Sequence, residues 1–330
     1  MKAPYFDGPF APMCELFVSQ KRAAGLQYGH QAMLLRMFDN FCKDQNIQNY
    51  AITEEIALNW CKMRPNEKEG FRLSRVSEMQ RFSVFLNKQG YTSYFLAGLP
   101  KRGPNHTPYI FSKEEILRIF KRLDTLGYVC TSPIRHFVYP LLFRILYGCG
   151  LRISETVALL KSDVNIEKGI ILIRHGKNDR ERIVPMSASL TDACRRYMAT
   201  VHADTDDGIP FFYTKARTAY SKSAIGKEFR GFMWDAGIPY RGRDIGPRLH
   251  DLRHTFICHN LMRWTEQGIP IQSMLPILSK YVGHTSISAT QWYLRLIPEI
   301  YPHLREICER ELGGMYANID YSEIGGADDE

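Results

Sequence analysis

Apolar side chains in the first hundred residues recur at three- and four-residue steps, the period of helices with one buried face. Met33, Leu34, Met37, Phe38 and Phe41 form one such stripe, and Pro12 to Ala24 carries another. TEEIALNWCKM opens at Thr53 with Glu54 and Glu55, acids that the positive end of a helix dipole favours. The run RLSRVSEMQRFSVFLNKQG stops at Gly90, a residue suited to the left-handed turn that ends helices. The pattern predicts about four helices and no strands. LPKRGPNHTP, residues 99–108, then breaks all periodicity with three prolines and a glycine, and reads as an interdomain linker.

A second periodic region begins at Ser112, which has capping-box spacing to Glu115, and its first helix closes at Gly127. GIILIRHGKNDRERIVPM is the exception to helical spacing. Its β-branched runs Ile170–Ile173 and Ile183–Val184 flank a polar turn, which predicts a hairpin. Further helices are expected over Ser187–Val201, Ser221–Ala236, Arg248–Gln267, Ile271–Val282, Ser286–Leu296 and Pro298–Leu312. The fold class is therefore mainly α with a small β-hairpin or sheet. The expected division is a helical domain over 1–102, a linker over 103–108, a mostly helical second domain over 109–312 and an acidic tail over 313–330.

Composition narrows the partners. The 330 residues are 45% hydrophobic and 24% charged, the balance of a soluble globular protein. The longest apolar stretch, His136 to Leu151, is interrupted by Arg144 and is too short to span a bilayer, and the N-terminus lacks the continuous apolar core of an export signal. Eight scattered cysteines form no C-x-x-C pair, so zinc ribbons find no support and reduced thiols of a cytoplasmic protein are expected. The net charge of +8 conceals an asymmetry, because the tail holds five acids and no base and leaves +13 on the rest. Such a body attracts polyanions, without deciding which.

Candidate chemistry concentrates in RLHDLRHTF, residues 248–256. On a helix His250 and Arg253 share a face, pairing a group that moves protons near neutral pH with a planar fork of donors suited to phosphate. His250 and His254 loosely mimic a zinc motif, but Asp251 stands where that motif has Glu and no third ligand follows convincingly. His254 and His259 are accordingly left as structural or surface residues. CGLRISETVALL sets Arg152 after a glycine-rich turn with Glu155 three residues on, Lys177 lies at the hairpin tip, and YVGHTSISATQWYLRL places His284 nine residues before Tyr293.

In this order, GLRISE, GKNDRERIVP, HDLRHTF, VGH and the tyrosine of TQWY resemble the tyrosine recombinase family, the phage-integrase type of DNA strand-exchange enzyme. The resemblance implies a helical core-binding domain followed by a catalytic domain. It implies Tyr293 as the nucleophile that forms a 3′-phosphotyrosine, and Arg152 and Arg253 as the clamp on the scissile phosphate. Lys177 would be the general acid, with Arg180 and Arg182 close enough to contest that role. His250 would assist proton transfer at the tyrosine, His284 would donate a hydrogen bond to the phosphate, and Glu155 would orient Arg152 or His250. No metal or cofactor is implied. The expected partners are double-stranded DNA, a second copy on each site with a tetramer in synapsis, and accessory DNA-bending proteins, in the cytoplasm at the nucleoid. Arg75, Lys101 and Arg102 are candidate phosphate contacts. The alternatives are relaxation of the type IB topoisomerase kind and a DNA-binding regulator that has lost cleavage.

Overall fold

In the computed structural model, the described residues are 5–45, 47, 50–99, 107–174, 176, 181–240, 242, 246–297 and 310. Lys101, Arg102, Lys177, Arg180, the helix expected beyond residue 297 (apart from residue 310) and the acidic tail lie outside them. The chain divides into two compact units, Met1–His106 and Thr107–Glu330.

Among its described residues the first unit holds four α-helices, α1 (Ala11–Ala23), α2 (Gly29–Phe41), α3 (Glu54–Cys61) and α4 (Glu69–Lys88). The Thr53 hydroxyl caps α3 by accepting from Ile56 N. The core is aromatic: Phe10, Phe17, Phe38, Trp60, Phe82 and Phe85 are buried together, and most of their pairs meet edge-on or tilted, as ring quadrupoles prefer, while Phe82 and Phe85 stack.

Arg75 lies inside this core and not on the surface, which corrects its expected role as a phosphate contact. Its guanidinium binds both carboxylate oxygens of Glu67, at 2.6 and 2.7 Å, and the Lys62 carbonyl at 2.7 Å. It also donates to the Trp60 carbonyl and stacks 4.9 Å from the Trp60 ring. These four bonds all serve the fold. The sequence showed a basic residue on a helix, and only the packing reveals which way it points.

The second unit begins with α5 (Lys113–Asp124), where the expected capping box of Ser112 and Glu115 is formed. Then come α6 (Arg135–Gly148), α7 (Ile153–Ala158), strands β1 (Val164–Asn165), β2 (Ile170–Ile173) and β3 (Arg182–Pro185), and α8 (Ala188–Val201). Helices α9 (Lys222–Asp235), α10 (Asp251–Glu266), α11 (Ile271–Val282) and α12 (Ser288–Gln291) follow. The apolar stretch around residues 136–151 is the central helix α6, buried along Val138, Leu141, Leu142, Phe143, Ile145 and Leu146. Arg144 leaves this core to pair with Asp124 at 2.7 Å. No helix among the described residues is long and apolar enough to cross a membrane.

The expected hairpin forms, with Ile171 opposite Val184, and β1 adds a third antiparallel strand through Val164 opposite Ile171. Two residues are too few for periodicity to detect. The helix expected over Ser286–Leu296 also differs: it winds as the single turn α12 and continues as a 3-10 turn over Trp292–Leu296. Buried Thr290 and Tyr293 and half-buried Leu296 recur every third residue, which is the 3-10 period.

Replacing Arg75 with Ala is expected to destabilise the first unit by about 3 kcal/mol, because it leaves the Glu67 carboxylate buried without its partner. Chemical denaturation monitored by tryptophan fluorescence measures this. The salt dependence of DNA binding should be unchanged, whereas a phosphate contact would flatten it.

Candidate active site

Four elements of the second unit converge on one carboxylate. The turn after α6 reaches Gly150 in the left-handed region, at φ +58°. A side chain there would also collide with Phe256, since a Cβ would lie 2.4 Å from its ring, so only glycine fits. Arg152 then caps α7, and Glu155 in the first turn accepts from the Arg152 backbone at 2.9 Å and its guanidinium at 2.7 Å. From β3, Arg182 grips both oxygens of Glu155 at 2.9 and 2.8 Å.

The arginines are completed by main-chain carbonyls. Arg253, on the first turn of α10, donates to Gly150 O at 2.7 Å and Val282 O at 2.5 Å. Arg152 donates to Gly283 O at 2.9 Å and Arg182 Nε to Tyr281 O at 3.0 Å. Three consecutive carbonyls at the end of α11 thus each take one guanidinium. That end carries the negative pole of the helix dipole, which favours cations.

Two guanidiniums therefore share one carboxylate, with a third, that of Arg253, nearby, in a region where Glu155 and Arg253 are almost fully buried. Burial alone would raise the Glu155 pKa, but Arg182 and Arg152 hold it down to about 2. Arg253 is pushed down to about 9, first by burial and then by the charge of Arg152. His250 is exposed at the edge of the site, yet desolvation of its ring and the charges of Arg253 and Arg152 lower it to about 4, so it is neutral at neutral pH.

Tyr293 is buried from the 3-10 turn among Ile257, Cys258, Leu278, Val282 and Ile297. Burial raises its pKa to about 12, against the pull of Arg253 and Arg152. Its hydroxyl lies 2.7 Å from His254 Nδ1. The His284 ring stacks on it, nearly parallel with centroids 6.1 Å apart, and His284 Nδ1 bonds the Thr290 hydroxyl at 2.8 Å. The His250 and His254 rings meet edge-on at 4.7 Å.

The structure thus gathers Arg152, Glu155, His250, Arg253, His284 and Tyr293. It adds His254, which the sequence reading left as structural or surface, and Arg182, which that reading placed only near Lys177. Arg182 is held by the Glu155 carboxylate and the Tyr281 carbonyl. His254 stands at the tyrosine hydroxyl where His250 was expected to assist. The sequence carries a signal for it, because His254 follows His250 by one helical turn, the same spacing that mimics a zinc motif. His259, by contrast, bonds the Tyr147 hydroxyl at 2.9 Å, in keeping with a structural part. Among the described residues no group of three His, Cys, Asp or Glu side chains is placed to hold a metal.

Comparison with known proteins gives a consistent picture. The phage integrase family model matches residues 110–299. A tyrosine recombinase XerA of Pyrococcus furiosus is 34% identical over 90% of this chain and 92% of its own length. A putative integrase/recombinase, y4rB, of Sinorhizobium fredii is 29% identical over 91% of this chain and 97% of its own. Among solved structures, XerH site-specific recombinase bound to its palindromic difH substrate aligns with a TM-score of 0.61 and 18% identity, covering 86% of this chain and 79% of that one. The Tn1549 transposon integrase with transposon right end DNA aligns with a TM-score of 0.60 and 14% identity, covering 85% and 94%. These structural likenesses show the fold.

Two pH windows should appear in the stability of the chain. Between about pH 6.5 and 4 the unfolded chain takes up a proton that folded His250 refuses, so stability falls with pH, and His250→Gln should flatten this limb. Below about 4.5 the unfolded carboxyl of residue 155 protonates while the folded one stays ionised down to about 2, so the stability that Glu155 contributes is lost across that range. Urea midpoints measured from pH 7 to pH 3 test both slopes.

Proposed function

The chain belongs to the phage integrase family, the tyrosine recombinases, and on that premise we propose that Tyr293 is the nucleophile with which it cuts and rejoins DNA. It is a site-specific DNA recombinase. The observation that carries the assignment of roles is the buried surplus of guanidinium charge around Glu155, with the Tyr293 hydroxyl beside it.

In this reading the scissile phosphodiester supplies the anion that Arg253 lacks. Arg152 and Arg253 bind its two non-bridging oxygens and offset the charge that grows on them as the fifth bond to phosphorus forms. Because carbonyl dipoles and Glu155 already hold both guanidiniums, they need little rearrangement when that charge develops. Tyr293 Oη attacks phosphorus, the bond to the 5′ oxygen breaks, and a 3′-phosphotyrosine remains. Lys177 protonates the departing oxygen, and His284 donates to the phosphate. Attack by a 5′-hydroxyl from the second site reverses the step and completes the exchange.

The first unit acts as the core-binding domain, and Lys101 and Arg102 contact phosphates beside it. Assembly is a dimer on each site and a tetramer in synapsis, with DNA-bending proteins as accessories, at the nucleoid in the cytoplasm.

A nicked suicide substrate tests the reading. In EDTA the wild-type chain should accumulate a covalent protein–DNA band on a denaturing gel, Tyr293→Phe should form none, and Arg152→Ala or Arg253→Ala should cut at least about 100-fold more slowly. An adduct persisting in Tyr293→Phe would remove Tyr293 from the role. The double variant Lys101→Ala/Arg102→Ala should weaken binding equally on all DNA sequences and reduce the salt slope by about 1 per lost phosphate contact. Loss of preference for one sequence would point instead to base reading.

A further inference from the structure

A phenol buried until its pKa is raised to about 12 cannot attack at neutral pH unless a neighbour removes its proton as the new bond forms. His250, which the resemblance places in that task, is not the residue whose ring nitrogen lies against the hydroxyl. His254 is: its Nδ1 is 2.7 Å from Tyr293 Oη, with the two rings 5.4 Å apart. That is within the reach proton transfer requires, before any DNA is bound. We propose that His254 is the general base of cleavage and, in reverse, the general acid of rejoining. The inference deepens the reading of Tyr293 as nucleophile and rests on it.

The step balances as follows. With the hydrogen of the neutral His254 ring on Nε2, Nδ1 accepts the Oη proton while an Oη lone pair forms the bond to phosphorus. The phosphorus–O5′ bond breaks, O5′ takes a proton from Lys177, and His254 becomes an imidazolium. In rejoining, the incoming 5′-hydroxyl passes its proton to neutral Lys177 as it attacks, the phosphorus–Oη bond breaks, and His254 returns its proton to Oη.

The surroundings suit a base that must gain charge only transiently. From α10, His250, Asp251 and Arg253 face the region. Arg152 and Glu155 reach it from the start of α7, Arg182 from β3, and His284 from the segment after α11. His250 is neutral at neutral pH, so an imidazolium on His254 does not meet a like charge on the adjoining ring. His254 also sits in the first turn of α10, where a lasting positive charge is unfavourable.

The experiment is single-turnover cleavage of a suicide substrate from pH 5 to pH 9, on normal DNA and on DNA with sulfur as the 5′-bridging atom, a leaving group that needs no proton. For the wild-type chain the rate should rise with pH on both substrates, because the limb belongs to the nucleophile's base. His254→Gln keeps a hydrogen-bond acceptor near Oη but cannot take its proton. It should cut about 100- to 10,000-fold more slowly on both substrates, lose the limb, and retain wild-type DNA affinity and melting temperature. Lys177→Ala should recover on the sulfur substrate. Wild-type rates in His254→Gln, or recovery of that variant on the sulfur substrate, would overturn the proposal. If the variant unfolds, disappearance of the wild-type limb on the sulfur substrate overturns it equally. Failure of the wild-type chain to form an adduct would instead sink the reading of Tyr293 itself.

Discussion

The second unit is organised around the difficulty of burying three guanidiniums against a single carboxylate. An uncompensated buried charge costs several kcal/mol even after the surroundings relax. Glu155 compensates Arg152 and Arg182, while Arg253 receives only carbonyl dipoles. The glycine turn before α7, the last strand of the sheet, the first turn of α10 and the end of α11 all meet at this point. Each supplies a group without which another would be left unsatisfied. The arrangement holds together although its guanidiniums outnumber the carboxylate that binds them, and burial together with the charge of Arg152 lowers Arg253 to about 9.

The tyrosine is housed on the opposite principle. Its ring belongs to the apolar cluster formed by α10, α11 and the 3-10 turn, with His284 stacked on it, and its hydroxyl meets His254. Burial that makes the phenolate costly also keeps the side chain rigid. Low dielectric thus favours anion capture on one side of the site and suppresses a free phenolate on the other. The reactive ion need form only when both a phosphate and a proton acceptor are in place.

Much of this was legible in the chain itself, because helix starts and turns are local events. The box of Ser112 and Glu115, the cap at Thr53 and the β-branched runs of the hairpin all depend on residues a few positions apart. Arg152 and Glu155 were also paired by spacing alone. What escaped was decided by contacts distant in sequence. Arg75 and Arg102 are both bases in basic surroundings, and only the aromatic core separates a structural arginine from a candidate for the surface. His254 is joined to a partner 39 residues away, and β1 exists because a neighbouring strand offers it hydrogen bonds. The 3-10 winding at Tyr293 likewise answers to burial at every third position, where an amphipathic pattern read as an ordinary helix.

The run of carbonyls at Tyr281, Val282 and Gly283 has a mechanical consequence. Each fixes a guanidinium from a different element: β3, the first turn of α10 and the start of α7. Consecutive peptide units are rigid planes linked through two dihedrals per residue, so their oxygens cannot move far independently. The end of α11 therefore works like a machinist's jig. If it is displaced the three cations travel together, and their mutual spacing survives motions that would scatter groups anchored on separate loops.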